Sequence, residues 1–202
     1  LSGNLGEILI VAIAAIAGMP LPLLPLQILY LNAINDVFPA LALGLSEEGP
    51  DVMEEPVRSN DEPILTSGRW LLITIYSILI AGTVLSAFLI ALHVLEMNTT
   101  AAVTVSFLTL ALSRLWHVFN MRDMGTSFFR NQLIRNPFIW YALALCTLLI
   151  IMAVFIPGLS HVLELRSPDV SGWLVVGVMS LVPFAVGQVW RSYGNRFSVD
   201  FV

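Results

Sequence analysis

Apolar residues gather into six long segments, at residues 1–17, 22–43, 70–95, 101–120, 137–156 and 171–190. Between them lie short polar turns or loops in which the charged residues are bunched. The last five segments each have the roughly 17–25 residues that a membrane-spanning helix requires. The pattern therefore predicts an all-α fold, a polytopic transmembrane helical bundle of six spans with the first truncated. That first segment has no start methionine and no charged flank, so the chain is expected to be the C-terminal part of something larger. A signal peptide fits poorly, because a basic n-region is lacking and Glu7 sits inside the run.

Composition strengthens the membrane assignment. Of the 202 residues 57% are apolar and 11% charged, with a mean hydropathy of +0.87, whereas soluble domains carry about 25% charged residues. A soluble enzyme is excluded. Nine arginines stand against fourteen acids, and there is no lysine. No basic surface is left for nucleic acid, and none is expected as a partner. Cys146 is the only cysteine, so neither a disulfide framework nor a cysteine metal cluster can form within the chain.

Arginine also sets orientation, since cytoplasmic loops are enriched in Lys and Arg. Arg58, Arg69, Arg122, Arg130, Arg135, Arg191 and Arg196, seven of the nine, fall on one side of the predicted topology. The C-terminus is expected in the cytoplasm. The loop 44–69 is acidic and contains Pro50, Pro56 and Pro63, which suits an extended connection rather than a packed domain.

Ionisable groups inside a span cost a few kcal/mol each on insertion scales and mark function. Glu7 has Asn4 three residues before it, and Asn32, Asn35 and Asp36 follow at i, i+3 and i+4 in the next segment. Those spacings put each set on one helix face. The tight turn Gly18-Met19-Pro20-Leu21 makes the two helices antiparallel neighbours, so both polar faces can meet. Two carboxylates and three amide oxygens suit a hard cation such as Ca²⁺, which takes six to eight oxygens. No His or Cys joins them, which argues against Zn²⁺ or Cu⁺. Pro39 lacks an N–H and clashes with the carbonyl of Asn35, so a helix break is expected beside Asp36, as at intramembrane ion sites. Arg114 lies about 9 Å inside its span and Asp36 about 10 Å inside its own, at ~1.5 Å per residue, so the guanidinium is expected to face the carboxylates. His117, near the end of the same span, reads as an ordinary interfacial histidine.

These residues also carry a resemblance. Asn4-Leu5-Gly6-Glu7, Gly18-Met19-Pro20, Pro25-Leu26-Gln27 and the run from Asn32 to Gly44, with Asn32, Asn35, Asp36 and Pro39, resemble the fifth and sixth transmembrane helices of the cation-transporting P-type ATPases. The nearest branch contains the sarcoplasmic-reticulum-type Ca²⁺ pumps. The run from Asp51 to Arg58 is similar to that family's cytoplasmic loop, which implies a coupling role for Met53, Pro56 and Arg58. The resemblance implies helices five to ten of such a pump, with Asn4, Glu7, Asn32, Asn35 and Asp36 in the places of the cation ligands. Asn35 stands where those pumps usually have Thr, and Val37 where they usually have Gly. Arg114 stands where two-site Ca²⁺ pumps supply a Glu, and an always-protonated guanidinium there would replace one cation by charge.

The expected function is thus the membrane part of an ATP-driven cation pump, Ca²⁺ favoured, with one ion per cycle. H⁺, Na⁺ or Mg²⁺ pumping is the alternative within the family, and a self-contained six-helix channel or carrier the alternative outside it. Partners are the lipid bilayer and the N-terminal and cytoplasmic domains of the same pump. ATP and Mg²⁺ belong to those domains, and the chain itself holds no catalytic residue. The absence of Lys suggests a GC-rich bacterial gene and hence a bacterial inner membrane.

Overall fold

The computed structural model describes residues 1–44, 67–120 and 137–194, and every regular element among them is helical. The first helix, α1, is Ser2–Ile16. It ends in a Schellman motif, with Gly18 at φ 64°. Its Gly18 and Met19 amides donate to the Ala15 and Ala14 carbonyls at 3.2 and 3.0 Å. Glycine adopts that left-handed backbone without steric cost, and this reverses the chain into the next segment.

The second apolar segment is not one helix. It divides into α2, Pro25–Asn35, and α3, Val37–Gly44, with Asp36 at the break. Pro39 sits in the first turn of α3, where its missing N–H is tolerated, and the interruption falls just before that turn. Two side chains cover carbonyls at this point. The Cys146 thiol donates to the Ile34 carbonyl at 3.4 Å, and Asn35 Nδ2 donates to the Ala111 carbonyl at 3.2 Å.

Among the described residues, four helices are long and apolar enough to cross a membrane. Helix α4, Ser67–Leu89, continues into a π-helical turn, Ile90–Val94, closed by the Leu95 amide on the Ile90 carbonyl at 3.0 Å. Helix α5 is Thr99–His117, capped by Asn98 Oδ1 on the Ala101 amide at 2.8 Å. Helix α6 is Pro137–Phe155, followed by the short α7, Pro157–Val162, and by α8, Val170–Gly194. Together they form an all-α, multi-pass helical membrane bundle.

The least apolar of these helices is the most buried. Helix α5 has the lowest mean hydropathy of the four, 1.2, and the most buried span, 78%; α6 has the highest, 2.5, with 33% buried. In a membrane the outer helices must be apolar on their lipid side, while a central helix can carry polar groups that neighbours satisfy. Accordingly Thr104, Ser106, Thr109, Ser113, Arg114 and His117 of α5 are all buried. Around α5 pack α4 and α8, with α2 and α6 also in contact, while α1 lies along α4 and α3 along α6.

Candidate functional site

Helix α1 is fastened to α4 at its polar end. Ser77 Oγ shares its proton between the Ser2 carbonyl at 2.9 Å and the Ile73 carbonyl of its own helix at 2.6 Å, and Gly6 faces Ser77 and Ile80 of α4. This fixes the register of Asn4 and Glu7. On the other side of the Gly18 turn, Gln27 is fully buried and donates to the Leu163 carbonyl at 2.9 Å, and Tyr30 donates to the Leu149 carbonyl at 2.8 Å. These bonds hold α2 so that Asn32 faces α1, and Asn32 Nδ2 donates to Glu7 Oε2 at 3.2 Å.

Arg114 reaches into this group from α5. Its Nη1 donates to Glu7 Oε1 and, at 2.8 Å, to Asn32 Oδ1. Its Nη2 donates to Asn4 Oδ1 at 2.8 Å and to Asp36 Oδ1 at 2.5 Å. Four side chains from α1, α2 and the helix break thus surround one guanidinium. The side chains of Arg114 and Glu7 are 7% and 5% exposed, whereas that of Asp36 is 47% exposed. A guanidinium has five N–H donors in a rigid fork, and four of its bonds here end on these oxygens. Removing one partner of a buried pair of this kind costs about 3–5 kcal/mol.

Asn35 stands apart from the cluster. Its amide nitrogen turns to the Ala111 carbonyl, and its Oδ1 is buried with no hydrogen-bond partner. Asn35 and Asp36 line a cleft of about 260 Å³, which Ser2, Gly3, Arg114 and His117 also border. Among the described residues no group of three or more His, Cys, Asp and Glu side chains converges as a metal site. A cation here would rely on amide as well as carboxylate oxygens. The loop residues Met53, Pro56 and Arg58 lie outside the described residues.

His117, read from sequence as interfacial, is packed inside the bundle: it is 6% exposed, shares a 3.1 Å hydrogen bond between Nε2 and Ser2 Oγ, and rests its ring against Tyr76 with centroids 4.5 Å apart. The signal lay in its spacing of three from Arg114, which puts both on one face of α5. Gly3 also borders the site and was not singled out from sequence, because its importance depends on a side chain from another helix.

Residues 20–193 match the family model described as "Cation transporting ATPase, C-terminus". A calcium-transporting ATPase of Bacillus subtilis is 32% identical over 183 residues, covering 91% of this chain and 20% of that protein. Calcium-transporting ATPase 1 of Bacillus cereus is 29% identical over 94% of this chain and 23% of its own length. P-type sodium-transporting ATPase4 of Toxoplasma gondii is 39% identical over 94 residues, 46% of this chain and 7% of that protein. The chain spans about a fifth of the length of the two bacterial relatives. With a family model matching most of its length, the chain belongs to the C-terminal region of the cation-transporting P-type ATPases.

Proposed function

We propose that this chain is the membrane part of an ATP-driven cation pump, in which Arg114 acts as a resident cation beside a single transported ion, Ca²⁺ favoured. The observation that carries the proposal is the guanidinium held by Asn4, Glu7, Asn32 and Asp36. Positive charge is what that oxygen group is built to hold, and one such charge is already covalently present. The transported ion then draws on Asp36, the exposed carboxylate, on Asn35 Oδ1, the oxygen left without a partner, and on oxygens of the cluster when the guanidinium yields them. Asn4, Glu7, Asn32, Asn35 and Asp36 together form its coordination group. The names of the bacterial relatives favour Ca²⁺.

Charge supports a second reading. Glu7, Asp36 and Arg114 sum to one negative charge, which a monovalent ion such as H⁺ or Na⁺ would neutralise, and a relative named for sodium transport matches part of the chain. A stand-alone channel or carrier is not favoured, given the family.

In the whole protein, other domains would use ATP and Mg²⁺, and the loop 44–69 would couple them to the site through Met53, Pro56 and Arg58. The seven arginines on one side support a cytoplasmic setting for that loop and the C-terminus, the absence of Lys supports a bacterial inner membrane, and lipid would surround α6 and α8. The test is ion-dependent phosphorylation of the full pump by ATP, with Ca²⁺, Na⁺ and pH varied in turn. Activation by Ca²⁺ that is lost in Asp36→Ala is expected. Wild-type Ca²⁺ affinity in Asp36→Ala would refute the site, and activation by Na⁺ or H⁺ alone would favour the second reading.

A further inference from the structure

Gly3 lies in α1 one residue before Asn4, directly beneath the side chain of Arg114. A Cβ built on Gly3 would stand 2.6 Å from Arg114 Nε, 3.0 Å from Cζ and 3.2 Å from Nη2, all inside ordinary van der Waals contact. The end of an arginine usually gives way easily. Here it is held by acceptors from α1, α2 and the α2–α3 break, so yielding means leaving them. The backbone is tied on its α4 side, where the adjacent Ser2 carbonyl lies 2.9 Å from Ser77 Oγ, a hydroxyl that also reaches the Ile73 carbonyl at 2.6 Å.

We propose that Gly3 is a specificity-determining residue: the absence of its side chain admits the Arg114 guanidinium to the oxygen cluster, and any larger residue returns that place to a free cation. This rests on the reading of Arg114 as a resident cation. Backbone preference works in the opposite direction, which makes the idea testable by sign. Gly3 has no positive φ, and alanine is the better helix former, so Gly3→Ala should stabilise α1 unless it displaces Arg114.

The experiment measures the thermal midpoint of the full-length pump, without and with added Ca²⁺. Gly3→Ala is expected to lower the ion-free midpoint by about 1 °C or more, the size expected for losing a charge-assisted bond in a protein about five times the length of this chain. Ca²⁺ should restore more of the midpoint in this variant than it adds to the wild type. In the charge-balanced background Arg114→Leu with Glu7→Gln, the same substitution should leave the midpoint unchanged or raise it. Gly6→Ala in the wild-type background is the control that needs no Arg114 variant. Its Cβ would make only ordinary contacts, the nearest at 3.5 Å, so no comparable loss is expected. An equal loss in both backgrounds, equal effects of Gly3→Ala and Gly6→Ala, or a higher midpoint in Gly3→Ala would overturn the proposal. A loss that depends on Arg114, in a pump that shows no response to Ca²⁺, would support Gly3 in this role while removing Ca²⁺ as the transported ion.

Discussion

Arg114 Nη2 donates to Asp36 Oδ1 at 2.5 Å, joining a guanidinium that is 7% exposed to a carboxylate that is 47% exposed. Its other acid, Glu7, is 5% exposed. The two carboxylates therefore have different work: Glu7 is the buried counter-charge, and Asp36 is the one accessible from the cleft.

That difference separates two conservative variants. Glu7→Gln leaves a buried guanidinium short of charge and should destabilise the pump by about 3 kcal/mol or more. Asp36→Asn should cost about 1 kcal/mol, as for a partly exposed pair, and act instead on ion affinity. Thermal midpoints and Ca²⁺ concentrations for half-maximal phosphorylation, measured on both variants, check this. Equal midpoint losses would contradict it.

Much of this site could be read from the sequence, for a physical reason. Acids and amides inside apolar segments are costly, so Asn4, Glu7, Asn32, Asp36 and Arg114 stand out against their surroundings. The Gly18 turn and Pro39 announced the antiparallel pair and the interruption near Asp36. What could not be read were contacts between helices that no periodicity encodes. Cys146 on the Ile34 carbonyl, Gln27 on the Leu163 carbonyl and Gly3 under Arg114 join residues separated by 111 positions or more, or depend on the absence of atoms. Asn35 shares a face with Asn32 in sequence, yet its amide bonds the Ala111 carbonyl of α5. Nor does apolar content mark the centre of the bundle, since the least apolar of the four long helices is the most buried.

The Cys146 thiol holds the broken segment at Ile34, two residues before Asp36. Cys146→Ala removes this weak thiol donor from the Ile34 carbonyl and should cost about 0.5–1 kcal/mol from the lost bond. It should also raise the half-activating ion concentration about threefold, since ~0.6 kcal/mol passed to the site gives that ratio. Cys146→Ser keeps a donor and should restore affinity to within about twofold on the same scale. Ion titrations of the two variants decide; identical behaviour of Ala and Ser would rule out a positioning role.

At the other end of the bundle Asp169 caps α8, accepting from the Gly172 amide at 2.9 Å and Ser171 Oγ at 2.8 Å. These bonds, the Gly172 amide foremost, lower its carboxyl pKa below the ordinary value of 3.8. A lowered folded-state pKa means stability present above the unfolded value and lost as pH falls through the folded one. Asp169→Ala should therefore lower the thermal midpoint at pH 7, with the difference from wild type shrinking below pH 3.8. Asp169→Asn, which keeps the acceptor, should lose less. A difference that does not change between pH 7 and pH 3, with both points measured, would contradict the cap's ionic part.

If the loop 44–69 couples the site to the ATP-using domains, Arg58→Ala should lower ions transported per ATP while leaving ion-dependent phosphorylation intact. Transport and ATP turnover measured on the same vesicles give the ratio. An unchanged ratio would remove Arg58 from the coupling path.

The central claim is that Arg114 takes the place of one cation in the membrane. The most direct measurement is the number of Ca²⁺ ions bound per phosphorylation site in the full pump, counted with radioactive Ca²⁺ at saturation. One ion per site in the wild type is the expected result. Two ions per site in the wild type would contradict the account.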